Sequence, residues 1–356
     1  MVTRVGGRWA IEELVRIALP ACRAAAEHCR RRGPGRPPVI PEWVIMMLIV
    51  VAVANRRRSK SAQYRFLAAR RQQLSEWIGT DHFPSRTTYF DRYRRAWLGL
   101  QHCIRWEGQR AIQAGWCDAE SVAVDQSLVP SRGPPWNERH RRQNALPHGA
   151  DLDATWTYSA HHGWVLGYGY EVVVSSGKVG AIWPLLASAD PASWKPARTF
   201  PAKIEALSRR TRFVLADAGY DNNDFAEAWE WDEQQRRTGR RFLCPLIERH
   251  RKHPHPRPTH TEHGQRRHRR EHRDQRRQYF KTPVARRLFA RRAASVEPFN
   301  EWLKSLFDLH KRAWHRGLDN NRTQLLAAIF CYQLLLHFNR RHHRSNGQIQ
   351  WILDIL

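Results

Sequence analysis

The chain has 356 residues, with 60 Lys and Arg against 33 Asp and Glu, and a formal net charge of +27. This length predicts two or three domains with a sizeable core, and the charge predicts a polyanion, nucleic acid, as partner. Its six cysteines form no CxxC pair, which excludes a zinc ribbon and fits a reducing, intracellular compartment. The longest apolar run, 43–54, has 12 residues and is too short to span a bilayer.

The first 115 residues predict an all-helical DNA-binding domain. Apolar residues recur at helical spacing over 8–29, with Pro20 as a kink or break. The Gly- and Pro-rich stretch RRRGPGRPP, 30–38, is either a hook for the minor groove of DNA or a plain basic linker. Two further helices are expected over 41–55 and 59–74.

A helix that starts after Ser85, a favourable N-cap residue, has an apolar stripe and a basic opposite face. The basic face consists of Arg86, Arg92, Arg94 and Arg95. A turn followed by a basic helix is a DNA-reading arrangement, which makes Arg86 and Arg92 candidate DNA contacts. The alternative is a small helical bundle with a solvated basic face.

From residue 121 onward, the pattern changes to β-branched, apolar runs that predict a mixed α/β sheet. Strands are expected over 121–129, 162–176, 177–188, 212–217 and 241–247, and helices over 200–210 and 223–239. Segment 248–277 is rich in Arg and contains seven His at spacings that fit no metal-ligand pattern, so a mobile basic loop on phosphates is expected there. Long helices follow over 289–312 and 322–341.

Two acids, Asp125 and Asp217, stand at the ends of predicted strands, and a third could come from the helix near Glu297. Three converging carboxylates among arginines would hold divalent cations, and two such ions about 4 Å apart can clamp an in-line phosphoryl displacement. The alternative is that Asp217 caps a turn and Asp125 begins a loop. Asp221 lies beyond the apolar run and is expected to be a turn or N-cap acid.

Three stretches carry a family resemblance: VAVDQS (122–127), LADAGYDN (215–222) and SVEPFNEWLK (295–304). They resemble the acidic blocks of bacterial insertion-sequence transposases of the DDE type, whose third block reads Tyr-x2-Arg-x3-Glu-x6-Lys. Glu297 and Lys304 match its second half. In the first half, Phe289 replaces the tyrosine and Arg292 is one position out of register.

The resemblance implies a ribonuclease-H-like mixed sheet flanked by helices. The catalytic domain would span 116–310 with a basic insertion over 234–287, and C-terminal helices over 311–356 would pack on it. Asp125, Asp217 and Glu297 would be catalytic and bind two Mg²⁺ ions, for which Mn²⁺ can substitute. Glu301 is a rival for the third acid. Lys304 and Arg292 would bind DNA phosphates.

The function implied is a DNA transposase that cuts at insertion-sequence ends and joins the 3′ hydroxyls to target DNA. Its partners would be the terminal inverted repeats and target DNA, with a homodimer on DNA because two ends are cut, and without a membrane. A bacterial, cytoplasmic, nucleoid-associated location would follow. The alternatives are an inactive or domesticated transposase-derived DNA-binding protein, an unrelated metal-dependent nuclease and a basic RNA-binding protein.

Overall fold

The computed structural model describes residues 7–29, 38–177, 180–234, 236–247 and 260–356. The proposed minor-groove hook over 30–38 lies almost wholly outside the described residues, as does 248–259 of the basic segment. Within the described residues, the chain is a mixed α/β protein in which helices flank a six-stranded sheet. None of the helices in these ranges combines the length and the apolar character needed to cross a membrane.

The N-terminal part is helical, as expected. Its helices are α1 (Gly7–His28), α2 (Glu42–Ala54), α3 (Lys60–Ala68), α4 (Arg71–Ile78), α5 (Arg86–Tyr93) and α6 (Trp97–Gln113). Helix α1 continues through Pro20, so a break there is wrong. The single helix expected over 59–74 is instead two, α3 and α4. Ser85 caps α5 by accepting a hydrogen bond from the Thr88 N–H, as the sequence predicts.

The remaining elements build the sheet and cover it. The strands are β1 (Ser121–Pro130), β2 (Thr155–Ser159), β3 (Gly163–Ser175), β4 (Pro184–Pro191), β5 (Phe213–Leu215) and β6 (Arg241–Leu243). The helices are α7 (Glu138–Arg142), α8 (Pro196–Thr199), α9 (Pro201–Ala206), α10 (Asn223–Glu230), α11 (His260–Phe280), α12 (Pro283–Leu306), α13 (Leu318–Arg341) and α14 (Gln350–Ile355).

The sheet order is β2-β3-β1-β5-β6, and β4 also pairs with β3. Strand β1 is antiparallel to β3 and parallel to β5, and β5 is parallel to β6. The mixed sheet is therefore confirmed, whereas its ribonuclease-H-like classification stays a prediction. Strand β2, which pairs with the start of β3, was not anticipated, although its sequence TWTYS is rich in residues that favour strands.

Helix α11 corrects the expectation of a mobile basic loop, which is wrong for residues 260–277. The helix has no apolar stripe, and it is attached instead by polar contacts with distant residues. His272 is buried, with its Nε2 3.1 Å from Glu230 Oε2, and Arg273 donates two hydrogen bonds to Asp221. These contacts leave no trace in local sequence periodicity.

Helix α13 lies at the centre of the core, with nearly every residue of 323–339 buried. It packs against α1, α2 and α6 on one side and β4 on another. The buried Gln333 amide donates to the Ile104 carbonyl in α6 (2.9 Å) and to the Pro184 carbonyl in β4 (2.7 Å). The N-terminal helices and the sheet thus share one hydrophobic core, while the domain boundaries at 115 and 310 stay predictions.

A second buried polar link joins α5 to the segment before α13. The His315 ring nitrogen Nε2 lies 3.0 Å from the Tyr93 hydroxyl, and the backbone of His315 exchanges hydrogen bonds with the Asn321 side chain. Burial and, to a smaller extent, the positive charges of Lys60 and Arg132 together lower the pKa of His315 to about 3. The fold therefore requires the neutral imidazole.

Because the fold requires a neutral His315, we expect its free energy of unfolding to fall as the pH is lowered. A histidine with a depressed folded-state pKa stabilises the fold above its ordinary pKa of about 6.5, and that contribution is lost as pH falls below this value. From pH 6.5 to 5, we expect a loss of about 2 kcal/mol in the free energy of unfolding from this site. Urea unfolding of the wild type and His315→Gln across this range measures it. The variant should lose less stability on acidification, and parallel pH profiles would contradict the prediction.

Candidate active site

The parallel pairing of β1 with β5 ends two residues before each acid, at Ala123 and Leu215. Asp125 lies further along β1, where it pairs with β3, and Asp217 follows the end of β5. Parallel neighbouring strands are about 4.8 Å apart, so this pairing leads the chain to both acids in the same part of the sheet. The expectation that Asp125 ends a strand, or begins a loop, is wrong, because β1 continues to Pro130.

A single guanidinium from α12 lies between the two carboxylates. Arg292 Nη2 is 2.7 Å from Asp125 Oδ1 and 3.8 Å from Asp217 Oδ2. The side chains of Arg292 and Asp125 are 15% and 18% exposed, whereas that of Asp217 is 48% exposed. The acid pair therefore shares one positive charge and opens to solvent on the Asp217 side.

The other oxygen of Asp125 is held by an amide. Asn300 donates its Nδ2 hydrogen to Asp125 Oδ2 (2.9 Å), and its own Oδ1 accepts from the buried Tyr170 hydroxyl (2.9 Å). Arg292 and Asn300 are eight residues apart, which places them on one face of α12. Sequence reasoning missed Asn300, because its contact with Asp125 joins residues 175 positions apart.

The protonation of Asp125 reflects these neighbours. Its pKa is raised to about 6, chiefly by burial and also by the Asp217 charge, although the Arg292 charge and hydrogen bonds from the backbone and Asn300 lower it. Asp217 also caps the turn after β5, where its Oδ1 accepts from the Gly219 N–H at 2.9 Å. Asp217 therefore does cap a turn, as the alternative expects, but only through Oδ1. Its other oxygen, Oδ2, faces Arg292.

The third acid and the lysine of the signature lie on the same helix. Glu297 is exposed and three residues before Asn300, so the two are neighbours on the α12 surface. Glu301 is 70% exposed and contacts His310. Burial lowers the pKa of Lys304, whereas the charges of Glu301 and Asp125 raise it. The choice between Glu297 and Glu301 stays a prediction.

Within the described residues, no three His, Cys, Asp or Glu side chains form a group that could hold a metal ion. The structure brings Asp125, Asp217 and Arg292 together, and it leaves Glu297 at the surface. The donor chemistry of the pair nevertheless fits a divalent cation, because two carboxylates already share one positive charge and offer hard oxygen ligands.

Both acids lie inside a matched family region. A family model described as the Transposase DDE domain matches residues 116–334, more than half of the chain. The chain belongs to this family. The match covers β1, β5 and α12, the three elements that carry the acidic blocks.

Two other comparisons, with solved structures and with curated proteins, do not extend this assignment to the DDE-domain transposase family. A solved structure of the piggyBac transposase, in a synaptic complex with hairpin DNA, aligns with a TM-score of 0.44 and 10% identity, over 98% of this chain and 78% of the other. No curated protein matches the chain.

The two arginines expected to contact DNA from α5 also contact the protein. Arg92 is 13% exposed on its side chain, pairs with Glu42 at 2.9 Å and donates to the Ile40 carbonyl. Arg86 is exposed, and it contacts Ser61 and the Phe90 ring. The two side chains differ in exposure, and DNA contact by either stays a prediction.

On the opposite face of the sheet from Asp125, a buried network anchors the turn that carries Asp217. Glu171 is 1% exposed and accepts hydrogen bonds from Thr199 (2.7 Å) and the Tyr220 hydroxyl (2.9 Å), and it pairs with Lys203 at 2.7 Å. Tyr220 is only three residues after Asp217. The network therefore connects the Asp217 turn to β3, beside the strand that carries Asp125.

Asp221, the second acid of the LADAGYDN block, anchors α11. Its side chain is fully buried, and it accepts two hydrogen bonds from Arg273 and one from the Ile247 N–H (2.8 Å). Burial raises its pKa, but these hydrogen bonds and the charges of Arg273 and Arg276 outweigh burial and hold the pKa below its ordinary value. The expected N-cap role is wrong, because Asn222 caps α10.

We expect Tyr220→Phe to weaken the attachment of the Asp217 turn without creating a cavity in the core. The ring stays, but Glu171 loses one hydrogen bond to a charged oxygen, which costs about 1.5–3 kcal/mol. Chemical unfolding of the variant and wild type measures this loss. Tyr332→Phe, a buried ring without that carboxylate partner, is a matched control. Equal stability of Tyr220→Phe and wild type would contradict the anchoring role.

We expect Asp221→Asn to destabilise the attachment of α11. Two arginines lose their buried counter-charge, which typically costs about 3–5 kcal/mol. Because Asp221 joins α11 to the turn after β5, amide hydrogen exchange should accelerate in α11 more than in α13. Uniform acceleration in both helices, or none in α11, would show that Asp221 does not anchor this helix.

Proposed function

We propose that this chain is a DNA transposase that cuts DNA at the ends of its element and joins the freed 3′ hydroxyls to target DNA by metal-dependent phosphoryl transfer. The observation that carries the proposal is the proximity of the Asp125 and Asp217 carboxylates, which lie 2.7 Å and 3.8 Å from the same Arg292 nitrogen, Nη2. Membership of the Transposase DDE domain family supports the same reaction class.

Asp125 and Asp217 would hold the divalent cations, Mg²⁺ or Mn²⁺, with Glu297 as the third carboxylate. A bound pair of such ions supplies the positive charge that stabilises the attacking and leaving oxygens of an in-line displacement. Asn300 keeps Asp125 oriented, since it fixes one oxygen while the other faces Arg292. No side-chain nucleophile is required by this chemistry.

Arg292 has two tasks in this proposal. Without metal, its guanidinium offsets the repulsion between Asp125 and Asp217. When the acids receive a metal, the long side chain can turn toward a DNA phosphate, for which a guanidinium is well suited. Lys304, on the same helix, would hold a phosphate beside the cut as a positioning residue.

The partners follow from the reaction. The terminal inverted repeats and target DNA would be drawn in by the net charge of +27, and cutting two ends requires two active sites, which favours a homodimer on DNA. A location at the bacterial nucleoid is part of the same proposal.

One observation favours the second candidate, an inactive transposase-derived DNA-binding protein. Arg292 lies between the acids, and no three-acid cluster is formed in the described residues. The two candidates differ in one measurement, namely whether the wild-type chain cleaves element-end DNA when Mg²⁺ or Mn²⁺ is added.

We expect Asp125→Asn and Asp217→Asn each to lower metal-dependent cleavage of element-end DNA by at least about a hundredfold, because each removes a carboxylate that holds the metal. DNA affinity without metal should be retained or rise, since a negative charge is lost. Gel assays of cleavage and anisotropy measurements of binding separate the two effects. Cleavage that survives Asp217→Asn would exclude its assigned role.

Two glutamine variants, tested in the same cleavage assay, identify the third acid. Glu297→Gln should lower cleavage to the level of the aspartate variants, and Glu301→Gln should leave it near wild type. The reverse pattern would assign the third carboxylate to Glu301.

A further inference from the structure

The hairpin formed by β2 and the start of β3 carries an exposed group of aromatic rings. We call residues 155–164 the aromatic hairpin. Trp156, Tyr158 and Trp164 are 37%, 61% and 70% exposed, and Trp164 has the largest exposed fraction among the large exposed apolar side chains of the described residues. The Tyr158 and Trp164 rings contact each other with centroids 5.6 Å apart. Such a patch usually marks an interaction surface.

Sheet register places these rings on the face that carries Asp125. Val172 of β3 lies opposite Asp125, and alternate residues of β3 point to the same side, so Trp164 shares the Asp125 face. Tyr158 lies opposite Trp164, and Trp156 lies opposite Leu166, on that face too. The Tyr170 hydroxyl bond to Asn300 in α12 confirms which face this is.

The hairpin extends past the end of β1, and Gly167 is the residue of β3 at which this extension begins. Gly167 pairs with Pro130 at the end of β1 and with Thr155 of β2. A Cβ on Gly167 would lie 2.2 Å from the Val129 carbonyl oxygen, so β1 and β3 approach closely where the hairpin begins. Eight residues of β3 separate Trp164 from Val172, about 26 Å at the usual strand rise.

The charge around the hairpin suits a polyanion. Residues 155–164 contain no acid, and two histidines, His161 and His162, form its tip. Burial, His161 and the charge of Lys304 lower the pKa of His162. The hairpin therefore offers a strand of phosphates no negative charge to repel it.

We propose that the aromatic hairpin is a stacking platform for unpaired nucleobases of the DNA strand that enters the Asp125 face. This inference rests on the proposed function and adds a binding surface to it. Aromatic rings stack on any base, so the contact adds affinity without sequence preference.

A second copy of the chain is the competing occupant. Two copies that each carry +27 charges repel one another, and the hairpin offers no acid with which an arginine of another copy could pair. A strand of DNA brings both flat bases for the rings and phosphates for Lys304. The observations therefore favour nucleobases.

The experiment uses the full chain in EDTA with two fluorescent probes: (dT)20 and a 20-residue abasic strand with the same phosphates. We expect wild type to bind (dT)20 more tightly. Trp164→Ala should weaken (dT)20 binding about five- to 150-fold and leave abasic binding unchanged, because only the base-bearing strand can stack. Trp164→Phe should recover most of the loss, and Leu98→Ala, an exposed apolar control on α6, should match wild type.

The slope of affinity against salt should be the same for wild type and Trp164→Ala, because a ring neutralises no phosphate. Equal affinities of the two proteins for (dT)20, or an equal loss on the abasic strand, would overturn the proposal. A changed sedimentation coefficient of Trp164→Ala with unchanged DNA affinity would assign the surface to a second copy. Because EDTA removes catalysis, a wild type that fails to cleave DNA contradicts the proposed function without affecting this test.

Discussion

The repulsion between two neighbouring carboxylates is the constraint on which this structure depends. The parallel pairing of β1 and β5 leads the chain to Asp125 and Asp217 in the same part of the sheet, so a cation must offset their charge. That cation is Arg292, which lies 2.7 Å from Asp125 and 3.8 Å from Asp217. Helix α12 is therefore attached to the sheet partly through the charge of the site, and the same helix carries Asn300, Lys304 and both candidates for the third acid.

Support for the acids comes from both faces of the sheet. On the Asp125 face, Tyr170 and Asn300 form a short chain of hydrogen bonds that ends on the carboxylate. On the other face, Glu171 binds Tyr220 and so holds the Asp217 turn. The two acids are thus positioned by independent contacts with one strand, β3. A single strand that is contacted from both sides keeps their separation constant while the solvent-exposed side of Asp217 remains accessible.

The buried strands and the acids that follow their apolar runs were predictable, because such runs are local patterns. Helix α11 was not predictable from periodicity, since Arg and His fill it and its attachment depends on Asp221 and Glu230, which are distant in sequence. Asn300 was missed for a similar reason, as its role appears only when α12 lies across β1. Strand β2 is five residues long and gains its stability from pairing with β3.

The two acids of the LADAGYDN block show how the surroundings of a carboxylate determine its role. Asp221 is fully buried, and its charge is already satisfied by arginines and a backbone N–H, so it has no capacity left for a metal or a substrate. Asp217 is half exposed, and its second oxygen lies 3.8 Å from Arg292, beyond a hydrogen bond. Asp217 therefore has an oxygen that is exposed to solvent and free to bind a ligand. The two acids differ in how many of their oxygens already accept hydrogen bonds, and this difference, not their position in the sequence, distinguishes the anchoring Asp221 from Asp217.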